Sequence, residues 1–169
     1  MLRRTLFRMT TDPQIIAWLD QEQAHLAQVI RTHRLAVQYV GAGDGPGEPP
    51  FGYTIGLFGL GHPELVVVGV GHDIAHGMLN RVGRWVVGGR NLVPGELLYD
   101  DSGPVPLAVE VLPNPGEVVF SANRFYERPD EFSVPAFQLT WPDADGAFPW
   151  DPGYAYPPHV QPRPGEWQA

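Results

Sequence analysis

Apolar and polar positions along the chain follow two rhythms. Ile15, Leu19, Leu26 and Ile30 recur at near-helical spacing, with Ile16 and Val29 beside them; the opposite side is rich in glutamine and carries Glu22, His25 and Arg31. Asp12-Pro13 supplies an N-cap side chain followed by a proline at the first helical position. The pattern predicts an amphipathic helix ending near His33 and packed on a sheet. Leu35 to Val40 reads as a strand, and Gly41 to Pro50, with four glycines and three prolines, as a loop. From Phe51 the period becomes two. Phe51, Tyr53, Ile55 and Leu57 point one way, and Gly52, Thr54 and Gly56 the other. One face of this strand is bulky and the other nearly bare backbone, which lets a helix or a ligand approach closely. Glu64 to Val70, reached through Gly59, Gly61 and His62-Pro63, is a short apolar run suited to a buried strand.

A second helix is expected from His72 or Asp73 to about Val87, with Ile74, Met78, Val82 and Trp85 as its buried stripe. Gly77 and Gly83 weaken it in isolation, so it depends on packing. Leu97 to Tyr99 and Leu107 to Leu112 read as strands. Asn114-Pro115 repeats the cap-then-proline signal, Glu117 sits at the capping-box position, and a third helix is expected to run to Tyr126, burying Val118 and Ala122. Val134 to Trp141 reads as the last strand, and Pro142 to Gly146 as a turn. Three early strands on short links cannot be joined by parallel crossovers. The order therefore predicts an α+β domain: a mostly antiparallel sheet, with split-barrel closure as an option, and three helices packed on it. Residues 1–151 are expected to form one domain. Residues 152–169, rich in proline, tyrosine and glycine, are expected to form an extended tail on the surface or partly disordered.

Composition narrows the partners. The chain has 169 residues, enough for one domain with a real core. Its 20 glycines and 19 prolines are together about twice their ordinary share, which argues for many turns. The formal net charge is -8 with only 11 Lys and Arg, so nucleic acid and anionic membrane are not expected partners. The start, MLRRTLFRMT, has too short an apolar run for a signal peptide or a membrane span and reads as a frayed, solvated segment; a cytoplasmic location is expected. There is no cysteine, which excludes disulfides, thiolate metal sites and cysteine nucleophiles.

Candidate chemistry is sparse. Gly41-x-Gly43-x-Gly45-x-Gly47 leads into prolines, not a helix, and Gly69-x-Gly71 lacks the third glycine of a dinucleotide fingerprint. His62, Glu64, His72 and His76 could supply a metal site, since His72 and His76 are spaced i, i+4 with Asn80 continuing the line; a turn histidine and a solvated helix face explain the same residues. Ser102, Ser121 and Ser133 lie outside any nucleophile elbow. Trp141-Pro142-Asp143 and Phe148-Pro149-Trp150 bracket a turn that would form either a partly exposed aromatic surface or a satellite core.

Phe51-x-Tyr53-Thr54-x-Gly56-Leu57, His62-Pro63-Glu64 with its apolar strand, Leu79-Asn80, Gln138-Leu139-x-Trp141-Pro142-Asp143, Gly146 and Phe148-Pro149-Trp150 together resemble an uncharacterised bacterial family, the domain of unknown function DUF4262. The resemblance runs from about Leu35 to Asp151 and implies no reaction or cofactor. At the level of fold alone, the opening strands and helix are similar to flavin-binding split barrels.

The expected function is a non-catalytic small-molecule or protein-binding module. The alternative is an enzyme, either FMN-dependent, as a homodimer with the cofactor at its interface, or metal-dependent through the His62, Glu64, His72 and His76 set. The site is expected on the bare face of the Phe51–Leu57 strand. The 73–87 helix would cover the bulky face, leaving the bare one to the Trp141–Trp150 turn. Tyr53, Thr54, His62, Glu64, Asn80, Gln138, Trp141, Asp143 and Trp150 are the ligand-binding candidates.

Overall fold

The computed structural model describes residues 12–100 and 106–169. The solvated start expected over residues 1–10, and Ser102, lie outside the described residues. Three helices, α1 (Pro13–His33), α2 (His72–Val87) and α3 (Phe120–Phe125), pack around six strands: β1 (Ala36–Val40), β2 (Phe51–Ile55), β3 (Glu64–Val68), β4 (Leu97–Leu98), β5 (Leu107–Val111) and β6 (Ala136–Thr140). They form one open sheet of order β1-β2-β3-β6-β5-β4, in which only β3 and β6 are parallel. The α+β class and the mostly antiparallel sheet are as expected. Barrel closure does not occur: the sheet is open.

The sheet is covered on both faces. Leu65, Val67, Val109 and Leu139 meet Ala75, Leu79, Val82 and Val86 of α2 on one side. Phe51, Tyr53, Ile55, Val66 and Val68 meet Val118, Val119, Ala122 and Trp167 on the other. The bare face of β2 is thus the one under α2, the reverse of the expected arrangement. The physical reason is close approach: a Cβ at Gly52 would stand 3.3 Å from the Ala75 Cβ and 3.2 Å from Leu79 Cδ1. The helix turns its small side chains to the sheet for the same reason. Ala75, Leu79, Val82, Gly83 and Val86 are buried, while Ile74, placed in the stripe by spacing alone, is 56% exposed.

α1 begins as the cap signal predicts, with Asp12 Oδ1 accepting from the Gln14 N–H at 2.8 Å. It ends at Arg34, a left-handed residue (φ 72°) whose N–H donates to Ile30 O. This tight corner sends the chain straight into β1. Gly56 (φ 131°) makes room for it, because a Cβ there would lie 2.5 Å from Arg34 O. α1 packs on the α3-face core through Leu26 and Ile30, and no residue of this helix is fully buried. The Asn114-Pro115 signal opens a single 3-10 turn, Pro115–Glu117; the chain breaks at Val118 and resumes as α3.

The C-terminal segment has no regular structure, as expected, yet it is anchored. Gln161 and Trp167 are buried, the Trp167 ring stands edge-on to Phe51 at 5.1 Å, and the Ala169 N–H donates to Glu117 O. Residues 152–169 thereby complete the core on the α3 face. No helix among the described residues is long and apolar enough to cross a membrane.

Candidate functional site

Most of the polar residues singled out in the sequence end on partners inside the chain. Glu64, at the start of β3, is fully buried. Its carboxylate accepts from Thr54 Oγ1 at 2.6 Å and from the peptide N–H groups of Gly56, Leu57 and Phe58 at 2.9, 3.3 and 3.1 Å. Thr54 Oγ1 in turn accepts from the Leu65 N–H. The carboxylate therefore plugs the turn after β2 by accepting from its peptide donors. Burial pushes Glu64 up from the ordinary 4.5 to about 7, against the pull of Thr54 and the three peptide donors. Tyr53 packs on the α3 face, where its hydroxyl accepts from the Ser121 N–H at 3.0 Å; burial pushes it up to about 12.

Gln138, in the middle of β6, ties the C-terminal segment to the sheet. Its Nε2 donates to Pro162 O at 3.0 Å and its Oε1 accepts from Trp167 Nε1 at 3.0 Å. Trp141 donates through Nε1 to Val68 O, and its peptide exchanges two bonds with the Gln161 side chain. Asp143 accepts from the N–H groups of Asp145, Ala147 and Ala155. Burial raises its pKa, but these peptide donors outweigh that and hold it below the usual carboxylate range. These three residues brace the turn and the segment behind it.

The four candidate metal ligands do not converge. His62 is buried, with Nδ1 2.7 Å from Pro63 O and Nε2 accepting from the Leu92 N–H at 3.2 Å, so both ring nitrogens are engaged. Glu64 is saturated as described. His72 and His76 stack at 4.3 Å on the exposed start of α2, where partial burial and then His72 hold His76 below its ordinary value. Among the described residues no group of three or more His, Asp or Glu side chains is placed to hold a metal ion. Trp150 is 48% exposed, which rules out a core plug; it stacks flat on Phe148 at 4.7 Å beneath the Arg163 guanidinium.

Two cavities stand out, and neither is walled by Trp141 or Trp150. A cleft of about 800 Å³ lies between α3 and the 3-10 turns Pro115–Glu117 and Asp130–Phe132. Much of its polar wall is internally bonded: Asn123 holds Ser133 and the Val134 N–H, and Arg128 Nε donates to Phe132 O. The second, about 450 Å³, runs along the outer edge of β1. Trp18, Leu19 and Leu26 of α1 form one wall and His76, Asn80 and Arg84, spaced i, i+4, i+8 on α2, the other. Residues 35–38 form the floor.

That floor is a strand edge with no partner strand among the described residues. The Gly69 N–H donates to Pro50 O, in register with the β2–β3 ladder, so Gly52 and Thr54 turn their peptide groups toward β3, and Phe51, Tyr53 and Ile55 toward β1. Their partners on β1 are Val40, Gln38 and Ala36. The N–H and C=O groups of Val37 and Tyr39 consequently face outward, away from the sheet. Of the ligand-binding candidates only Asn80 lines this groove, beside His76 from the metal set, and Asn80 makes no side-chain hydrogen bond among the described residues. Trp18, Gln38 and Arg84 were not anticipated. The i+4 continuation from His76 and Asn80 to Arg84 was the one signal that could have found the α2 wall.

Residues 29–155 match the family model of a domain of unknown function, DUF4262. No curated protein and no solved structure matches the chain.

Proposed function

The chain belongs to the DUF4262 family, and we propose that it acts as a non-catalytic binding module whose site is the groove along the free edge of β1, one strand over from the Phe51–Leu57 segment. The observation that carries this reading is the outward-facing peptide group of Val37 at the floor of a cavity of about 450 Å³, with that of Tyr39 next along the same edge; the volume is within the usual range for ligand sites. Apolar side chains on the α1 wall and polar ones on the α2 wall give a bound molecule both burial and orientation. The candidate residues at the β2–β3 corner and the Trp141 turn, by contrast, have their hydrogen-bonding capacity taken up internally.

A carboxylic-acid and amide fragment set, followed by ¹H–¹⁵N shift perturbation on the full chain, tests the reading. Shifts should centre on Val37, Gln38, Asn80 and Arg84. Shifts confined to the cleft beside α3, or none at all, would overturn it. A second reading, protein contact through the Trp141–Trp150 turn, is favoured by the exposed Trp150 ring held flat between Phe148 and Arg163. Shifts centred on Trp150 would select that one.

A further inference from the structure

We infer that the occupant of the β1 groove is an extended, carboxylate-bearing peptide segment that joins the sheet as a strand beside β1; the inference rests on the binding reading above. Val37 and Tyr39 each turn one donor and one acceptor outward, about 7 Å apart along the strand. Matching both requires a chain whose own donors and acceptors repeat at that interval, which is what an extended peptide provides.

The sequence of the edge also carries none of the residues that usually blunt one. β1, AVQYV, has no proline and no charge, and it pairs over five residues. The opposite edge strand, β4, is only two residues long, the common way of blunting an edge. A second copy of this chain does not fit the same edge. β1 lies recessed between α1 and α2, and the β1 of another copy is flanked in the same way, so the helices would meet before the strands did. A single strand meets no such obstacle.

Charge selects among peptides. Arg84, Arg124 and three histidines (His25, His33, His76) line the groove, against one carboxylate, Glu22. The chain as a whole carries -8. Arg124 already faces Asp20 at 3.5 Å, and Arg84 uses Nη1 to reach His33 O, so the rest of the Arg84 guanidinium is the groove's cation for an incoming carboxylate. Side chains of a bound strand alternate between the walls. Acidic residues should face His76, Asn80 and Arg84, and apolar ones Trp18, Leu19 and Leu26.

The test is selection of a randomised library of acetylated, amidated heptapeptides on the full chain, with the Val37→Pro variant as counter-target. Proline at this position removes an outward N–H, which an edge strand tolerates, and trims the half-buried Val37 side chain. Selected peptides should alternate Asp or Glu with apolar residues. They should lose at least about tenfold in affinity to Val37→Pro, and as much when their own β1-facing N–H groups are methylated. Should Val37→Pro fail to fold, the methylated peptides on the native chain decide alone. Peptides whose binding ignores methylation, or selection of basic sequences, would overturn the inference. So would an empty selection; if the fragments still shift Val37 and Asn80, the groove remains a binding site and only its peptide occupant is lost, whereas no shifts and no peptides remove both.

Discussion

At the corner between β2 and β3, every acceptor of Glu64 meets a donor from its own chain, and across the sheet Gln138 and Asp143 do the same for the C-terminal segment and the Trp141 turn. Along the outer edge of β1 the situation is reversed. Peptide groups face outward, Asn80 has no side-chain partner among the described residues, and the α1 wall exposes 57% of Trp18. Both regions combine polar groups with aromatic rings, and by residue type alone they look alike. The difference is satisfaction: buried polar groups with internal partners hold a fold together, whereas groups that end in a cavity are available to a partner from outside. Substitutions at the first region should therefore cost stability, and those at the second should cost binding.

The largest effect is expected from Trp167→Ala. It removes a buried ring packed on Phe51 and leaves the Gln138 amide without its donor, so a loss of about 3–5 kcal/mol in urea unfolding is predicted. A near-neutral result would show the C-terminal segment to be dispensable. Glu64→Gln comes next and carries a pH signature. Folded Glu64 holds its proton up to about pH 7 and the unfolded residue only to about 4.5, so the folded state binds more protons in that window. This contribution to stability is full below pH 4.5 and is lost as pH rises to 7, by about 3 kcal/mol. The variant lacks the titration. Its deficit at pH 5, caused by an amide NH₂ facing peptide donors, should narrow toward pH 8; a constant gap would contradict the buried, titrating carboxylate. Trp150→Ala should cost less than about 1 kcal/mol, since the ring is half exposed. The smallest change in stability, within about 0.5 kcal/mol, is expected for Asn80→Ala, with peptide affinity reduced nonetheless.

Much of the architecture was legible from periodicity. The two long helices, the six strands and their order along the chain follow from the 3.6- and 2-residue patterns and from Gly and Pro punctuation. Which way the faces turned was not. Gly52 and Gly56 announce close approaches, but only packing decides that α2, shifted by one position to Ala75 and Leu79, approaches the first and the Arg34 corner the second. Trp167 gave no signal at all: a lone aromatic in a proline-rich stretch has no period, and its burial depends on the long-range bond to Gln138. The candidate residues shared one property, unusual polarity beside an apolar strand, which marks a structural tie as readily as a site. The groove went unread because an open strand edge is a fact of topology. Nothing in AVQYV says that β1 would lie outermost.

Amide hydrogen exchange across β1, measured on the full chain alone and saturated with a selected acidic heptapeptide, tests the central claim most directly. In the free protein Gln38 and Val40, bonded to β2, should exchange slowly, while Val37 and Tyr39 exchange fast. With peptide bound, Val37 and Tyr39 should become protected and Gln38 should change little. Protection of Val37 and Tyr39 in the free protein, or their continued fast exchange with peptide bound, would contradict the account.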